Sequence, residues 1–116
     1  FYGLATVIVG IFPCDSGCNK ELIDPSSSQL IHNFVALLTY LFVPVFMILI
    51  GLGLKKSHNN IFSLQSIVCG AISILFVLIL VSNLNSEYIG LYQRIIESAF
   101  VIWIIFCAIL IKKTKP

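Results

Sequence analysis

Charged residues are scarce in this chain. Lys, Arg, Asp and Glu make up 10% of its 116 residues, whereas 59% are hydrophobic and the mean hydropathy is +1.04. A soluble domain carries about 25% charged residues, so the composition excludes the water-soluble globular class. With so little charge, no glycine period and no heptad, disordered, collagen-like and coiled-coil chains are excluded as well. The composition therefore predicts an integral membrane protein.

Basic residues are also few. Seven Lys and Arg stand against five Asp and Glu, a formal net charge of +2, so we expect no nucleic-acid partner. No basic residue precedes Lys20, which argues against a signal peptide in the first apolar run, residues 1–12. This run is shorter than the roughly 20 helical residues that cross a bilayer. We expect it to be the outer end of a truncated helix.

The fold class predicted is all-α, a polytopic membrane bundle with three complete transmembrane helices and the end of a fourth. It forms one membrane domain, residues 1–116. A polar loop, residues 13–29, follows the truncated helix, and residues 112–116 form a short tail. The three complete spans are long, nearly continuous apolar runs, namely residues 30–54, 61–84 and 90–111.

Local signals place the boundaries of the first complete span. Pro13 lacks a backbone donor and ends the preceding helix. Ser26 and Gln29 have the spacing of a capping box, in which each side chain satisfies a free backbone N–H, so a helix should begin near Ser27. Pro44 lies inside the span and should kink it.

Small residues recur at spacings of three and four along the second complete span: Ser63, Ser66, Gly70 and Ser73. This spacing puts them on one helix face, where small side chains let two helix backbones approach closely. We interpret the face as a helix contact. A polar track for a substrate is the alternative.

Lysines give the orientation. Lys55 and Lys56 follow the first complete span, and the tail carries three more, whereas the loop before this span has only Lys20. Basic loops stay in the cytoplasm. We therefore expect a multi-pass protein of the plasma or inner membrane, with the Cys14 to Gln29 loop extracytoplasmic and the C-terminus cytoplasmic.

Polar residues gather at the outward end of the predicted spans. Arg94 and Glu97 lie about 27 Å and 22 Å from Lys112, and their spacing of three residues allows a self-neutralising pair. His32 and Asn83 lie about 34 Å from the inner surface by the same count. Depth alone thus groups seven candidates for an outward polar vestibule: Asp15, His32, Asn33, Asn83, Gln93, Arg94 and Glu97. Scattered around the bundle, they would be ordinary interface residues.

Two cysteines share the outward loop. An oxidising compartment would allow Cys14 and Cys18 to form a short disulfide, with free thiols as the alternative. The spacing is not the C-x-x-C of redox pairs. Zinc bound by both cysteines with His32 or Asp15 has suitable ligand types, but nothing fixes a geometry, so we predict neither a metal nor a cofactor.

The order of several short motifs resembles a prokaryotic multi-spanning family catalogued as domain of unknown function 998. The resemblance implies a six-helix protein of which this chain is the C-terminal half or slightly more, and it brings no established activity. Phe12, Pro13, Asp15, His32, Gln93 and Arg94 match the family pattern. The motifs are Gly10-Ile11-Phe12-Pro13-Cys14-Asp15, Leu30-Ile31-His32-Asn33 and Gly90-Leu91-Tyr92-Gln93-Arg94, with Trp103 further on.

Three functions are compatible with these residues. The leading hypothesis is a non-enzymatic bundle whose vestibule binds a lipid headgroup, a small solute or a partner, with Arg94 facing the anion. The second is an outer-leaflet hydrolase or transferase that uses Asp15, His32 and Glu97 as catalytic groups. The third is part of a transporter, in which Arg94 and Glu97 form a gate or proton relay. Expected partners are the lipid bilayer and the missing helices, and a homo-oligomer is left open.

Overall fold

The computed structural model describes residues 1–18, 21–56 and 60–114. Four α-helices follow one another: α1 (Tyr2–Ile11), α2 (Ser27–Lys56), α3 (Asn60–Ser82) and α4 (Ile89–Thr114). One 3-10 turn, Ser16–Cys18, lies in the loop between α1 and α2. No strand occurs in the described residues. The all-α prediction is confirmed.

Three of these helices, α2, α3 and α4, are long and apolar enough to cross a membrane. They correspond to the three spans predicted from the apolar runs. The shorter α1 has ten residues and stays below that length. Lys20 and Lys115, which contribute to the predicted orientation, lie outside the described residues, as do residues 57–59.

The ends of two helices show how side chains decide a boundary. α2 begins at Ser27, the position that the capping-box spacing predicts. α3 ends at Ser82, two residues before the predicted end, because Asn83 turns back on the helix. Its backbone N–H bonds to Leu80 O at 3.2 Å and its side-chain Nδ2 donates to Ile79 O at 2.9 Å. These bonds satisfy carbonyls that the end of a helix leaves open.

The chain forms two compact units, Phe1–Phe42 and Val43–Pro116. α2 is helical through Pro44, which lies just after this division. The predicted kink at Pro44 stays a prediction. The first unit contains α1, the loop and the first half of α2. The second contains the rest of α2 with α3 and α4.

Within the second unit, α3 and α4 pack in an antiparallel pair. Phe62 packs edge to face against Phe106, with ring centroids 6.1 Å apart. Phe76 packs against Tyr92, with ring centroids 6.3 Å apart. The start of α3 therefore lies against the end of α4, and the end of α3 lies against the start of α4. The most deeply buried side chains of α4 are Ile96, Ala99 and Phe100.

Serine hydroxyls of α3 bond across the helix packing of this unit. Ser63 Oγ donates to Gly51 O at 2.7 Å, and Ser66 Oγ donates to Met47 O at the same distance. Ser66 Oγ also accepts from Trp103 Nε1 of α4 at 2.6 Å, so one hydroxyl links three helical segments. The small-residue face is therefore a helix contact, as its spacing predicts. Ser63, Ser66, Gly70 and Ser73 are all buried.

Glycine is required where the backbones come closest. A Cβ on Gly70 would lie 2.9 Å from Pro44 O and 2.7 Å from Ile48 Cγ1. A Cβ on Gly51 would lie 3.0 Å from Ser63 O. Backbone oxygens cannot turn aside as a side chain can, so even a methyl group forces the helices apart.

We predict that Gly70→Ala destabilises the protein by about 1 to 2 kcal/mol, because overpacking exceeds the gain in helix propensity. Gly53→Ala is the matched control, since Gly53 lies in the same packed half of α2 and its Cβ would have nothing within 4 Å. It should be neutral or stabilising by up to about 1 kcal/mol. Denaturation of the detergent-solubilised protein measures both. Equal effects of the two substitutions would contradict a close approach at Gly70.

Candidate functional site

Asp15 holds the N-terminus of α2. Its Oδ2 accepts the backbone N–H of Ser26 at 3.0 Å, and its Oδ1 accepts the Ser26 hydroxyl. Ser26 Oγ in turn accepts the backbone N–H of Gln29 at 3.1 Å, as the capping box predicts. Asp15 thus acts as a capping carboxylate that reaches the helix from the preceding loop.

Gln29 departs from the predicted box. Its side chain does not return to the Ser26 N–H, which Asp15 occupies, and Oε1 instead accepts the Asp15 backbone N–H at 2.7 Å. Its Nε2 donates to Asn33 Oδ1 at 2.8 Å, and the residue is 0% exposed. Gln29 is therefore the centre of this polar network. The capping-box spacing assigns Gln29 only a role as a cap, and its position directly after three serines is the one further sign of a polar network in the sequence.

His32 and Ser28 tie the end of α1 to α2. His32 Nδ1 lies 3.0 Å from Phe12 O, and Ser28 Oγ donates to Pro13 O at 2.7 Å. A carbonyl oxygen only accepts, so Nδ1 carries the hydrogen, and in the neutral ring Nε2 holds the lone pair. The end of α1 is therefore level with the first two turns of α2. We call the bonds of Asp15, Gln29, His32 and Ser28 the loop clamp.

A disulfide closes the start of the loop. Cys14 and Cys18 are joined, and the backbone N–H of Cys18 bonds to Asp15 O at 2.7 Å inside the ring. Gly17 has a φ of 71°, which glycine adopts without the steric cost that other residues incur. The ring thus restricts the backbone of the residue that caps α2. Among the described residues, no three His, Cys, Asp or Glu side chains are placed to hold a metal ion.

The remaining candidates belong to the second unit. Asn83 is exposed at the end of α3, where its amide is engaged with Ile79 O. Gln93 and Arg94 are exposed on the second turn of α4, and Glu97 is half-buried one turn later. The predicted pairing of Arg94 with Glu97 stays a prediction. So does a vestibule, since it draws on residues from both units.

We predict that Asp15→Ala destabilises the protein by about 1 kcal/mol, the usual cost of losing a helix cap. The alanine cannot accept either bond from Ser26. Glu21→Ala removes the same charge from the same loop at an exposed position and should have little effect. Thermal unfolding in detergent compares the two variants. A destabilisation by Glu21→Ala as large as that by Asp15→Ala would mean that loop charge, not the cap, is what matters.

Hydrocarbon offers no hydrogen-bond partner, so helices of this length with polar groups bonded internally are suited to a bilayer. The class is therefore an α-helical multi-pass membrane protein. The profile of a family described as "Protein of unknown function (DUF998)" matches residues 1–110, and the chain belongs to that family. This confirms the resemblance seen in the motifs. No curated protein and no solved structure matches the chain.

Proposed function

We propose that this protein is a non-enzymatic membrane bundle that binds an anionic group through Arg94 at the outward end of α4. The group is a phosphate or carboxylate, carried by a lipid headgroup, a small solute or a partner. The observation that carries the proposal is the exposure of Arg94 in a helix that is long and apolar enough to cross a membrane.

Arg94 lies on the side of α4 away from its packed face. Ile96, Ala99 and Phe100 are buried within the second unit, whereas Arg94 and Gln93 are exposed. A charged side chain directed at lipid tails is costly, so an exposed arginine in a span needs water, a counter-charge or a headgroup. The buried face of α4 supplies no partner for its guanidinium, and Glu97, one turn later, is the one acidic residue of this helix that could share it with a bound anion.

The position of Arg94 along α4 favours a partner in the headgroup layer. Arg94 is about 27 Å along α4 from Lys112, in a hydrocarbon core about 30 Å thick. A long basic side chain this close to the surface extends toward the headgroups while its stem stays in apolar surroundings. The planar guanidinium fork then matches the two oxygens of a phosphate or carboxylate.

The loop clamp argues against an acid–base role for Asp15. Both oxygens of its carboxylate accept hydrogen bonds from Ser26, so each oxygen is already engaged in capping a helix. Removing a proton from a substrate would compete with those bonds. The contribution of Asp15 is therefore to hold the outward end of α2.

We predict that Arg94→Gln weakens binding of short-chain phosphatidylglycerol to the detergent-purified protein by roughly tenfold or more, since charge-assisted hydrogen bonds contribute about 1.5 to 3 kcal/mol. Lys112→Gln is the control, because it removes the same charge from the opposite end of α4 and should leave binding unchanged. Native mass spectrometry or fluorescence anisotropy measures the affinity. Equal weakening by both substitutions would reduce the effect to net charge and contradict a site at Arg94.

A second probe separates the two sources of the anion. Glycerol phosphate carries the same phosphate chemistry without acyl chains. Competition by millimolar glycerol phosphate would indicate a solute site, whereas displacement only by the lipid would indicate a headgroup site. If neither probe binds to the folded protein, the proposal is contradicted.

The placement of Arg94 at the outward end of α4 depends on the orientation that the lysines predict. After reduction, Cys14 and Cys18 should react with a membrane-impermeant maleimide added to intact cells. A cysteine introduced by Ser57→Cys should react only after the cells are opened. Cys69 and Cys107 lie within spans and should stay unlabelled. Labelling at position 57 in sealed cells would reverse the topology and place Arg94 near the cytoplasm.

The enzymatic alternative rests on one observation, the bond between His32 Nδ1 and Phe12 O. This bond fixes the tautomer and leaves the lone pair of the neutral ring on Nε2, which is the form that a general base needs. Phospholipid turnover by the purified protein that is lost in His32→Ala, with the fold intact, would replace the binding proposal with this one.

A further inference from the structure

The loop between α1 and α2 carries two large aliphatic side chains in an otherwise polar segment. Leu22 is 48% exposed and Ile23 is 70% exposed. Leu22 and Asp24 also adopt positive φ angles of 51° and 48°, a left-handed backbone that costs a non-glycine residue free energy. The loop therefore exposes apolar side chains on the protein surface. Two of its residues are also held in a backbone conformation that is unfavourable for them.

The loop clamp fixes where the loop lies relative to the lipid-facing surface of the same unit. Phe12 is bonded to His32 and Pro13 to Ser28, so both ends of the loop are level with the first two turns of α2. Exposed apolar side chains continue on both sides of these bonds. Among them are Ile11, the last residue of α1, at 65% exposure and Leu30 at 51%. The loop thus begins and ends where the membrane-facing surface ends.

The reach of the loop is short. Cys18 is held by the disulfide to Cys14, and Ser26 is held by Asp15. Leu22 is four residues from each of these held positions, and four extended residues span at most about 14 Å. Hence Leu22 and Ile23 cannot extend far from the membrane surface. They lie within reach of the headgroup layer.

We propose that Leu22 and Ile23 insert into the interfacial layer of the adjacent leaflet and anchor the loop there. The occupant of this apolar patch is the lipid surface itself, because the patch is continuous with the lipid-facing surface of α1 and α2. Glu21 and Asp24 flank the two aliphatic residues and outnumber the one basic residue of the loop, Lys20, so negatively charged headgroups would repel the segment. The interaction is therefore with neutral, zwitterionic lipid and is driven by apolar burial.

Spin labelling of the full chain in phosphatidylcholine vesicles tests this proposal. A nitroxide is attached at Ile23→Cys, in a chain with Cys69→Ala and Cys107→Ala and the Cys14–Cys18 disulfide retained. Oxygen concentrates in lipid and a nickel chelate in water, so their relative access to the nitroxide reports depth. We expect a label at position 23 to show a several-fold higher ratio of oxygen access to nickel access than a label at Glu21→Cys, two residues away in the same loop.

Two results would overturn the proposal. Equal, water-like access at positions 21 and 23 would show that the loop stands in solvent. Low access to both reagents at position 23, increasing as the protein is diluted in lipid, would show that a second copy of the chain covers the patch.

A second measurement avoids replacing Ile23 by the label. A nitroxide at Asp24→Cys is compared with and without the paired substitution Leu22→Ser and Ile23→Ser. Loss of the anchor should lower the oxygen-to-nickel ratio at position 24, and the ratio should not depend on salt in either protein. An unchanged ratio, or one that increases with anionic lipid, would contradict anchoring by apolar burial. Neither measurement involves Arg94, so each is independent of the binding proposal.

Discussion

A hydroxyl in hydrocarbon must donate its hydrogen to an acceptor within the protein, because the solvent provides none. In the second unit this requirement determines which helix faces meet. Ser63 and Ser66 find acceptors in the carbonyls of Gly51 and Met47. Those carbonyls are accessible only where the backbones approach closely, and Gly70 allows that approach. No buried side-chain nitrogen or oxygen among the described residues lacks a partner. In this unit the hydrogen bonds of the serine hydroxyls therefore require the same close helix packing that the glycine allows.

In each of these helix contacts, the sequence predicts the hydroxyl donors on α3 better than the carbonyl acceptors on α2. Serines and a glycine at spacings of three and four indicate a contact face on α3, because helix periodicity is a property of one segment. The acceptors on α2 carry no comparable signal. Gly51 stands among glycines and leucines, and its carbonyl is like any other until the helices cross at a particular angle. Trp103 likewise gives no sign from its position that its indole N–H bonds to Ser66.

The same distinction applies at the start of α2. The capping-box spacing predicts the first residue of the helix and the bond from Gln29 N–H to Ser26. It does not predict that Asp15 takes the position assigned to the Gln29 side chain, because that exchange depends on how the loop folds back over eleven residues. Depth counting is limited in the same way. It gives the distance of Arg94 along α4 but carries no information on azimuth, and in the structure the residue is exposed.

The residue types that suggested catalysis are explained in part by the loop clamp. An aspartate and a histidine at the same end of the helices resemble an acid–base pair. The hydrogen bonds that each makes distinguish a catalytic role from a structural one. Both oxygens of Asp15 accept bonds from Ser26, so this residue is committed to the fold. His32 uses Nδ1 as a donor to Phe12 O, and that bond leaves Nε2 outside the clamp. Of these two residues, His32 therefore keeps a ring nitrogen outside the clamp, and Asp15 contributes by capping the helix that carries it.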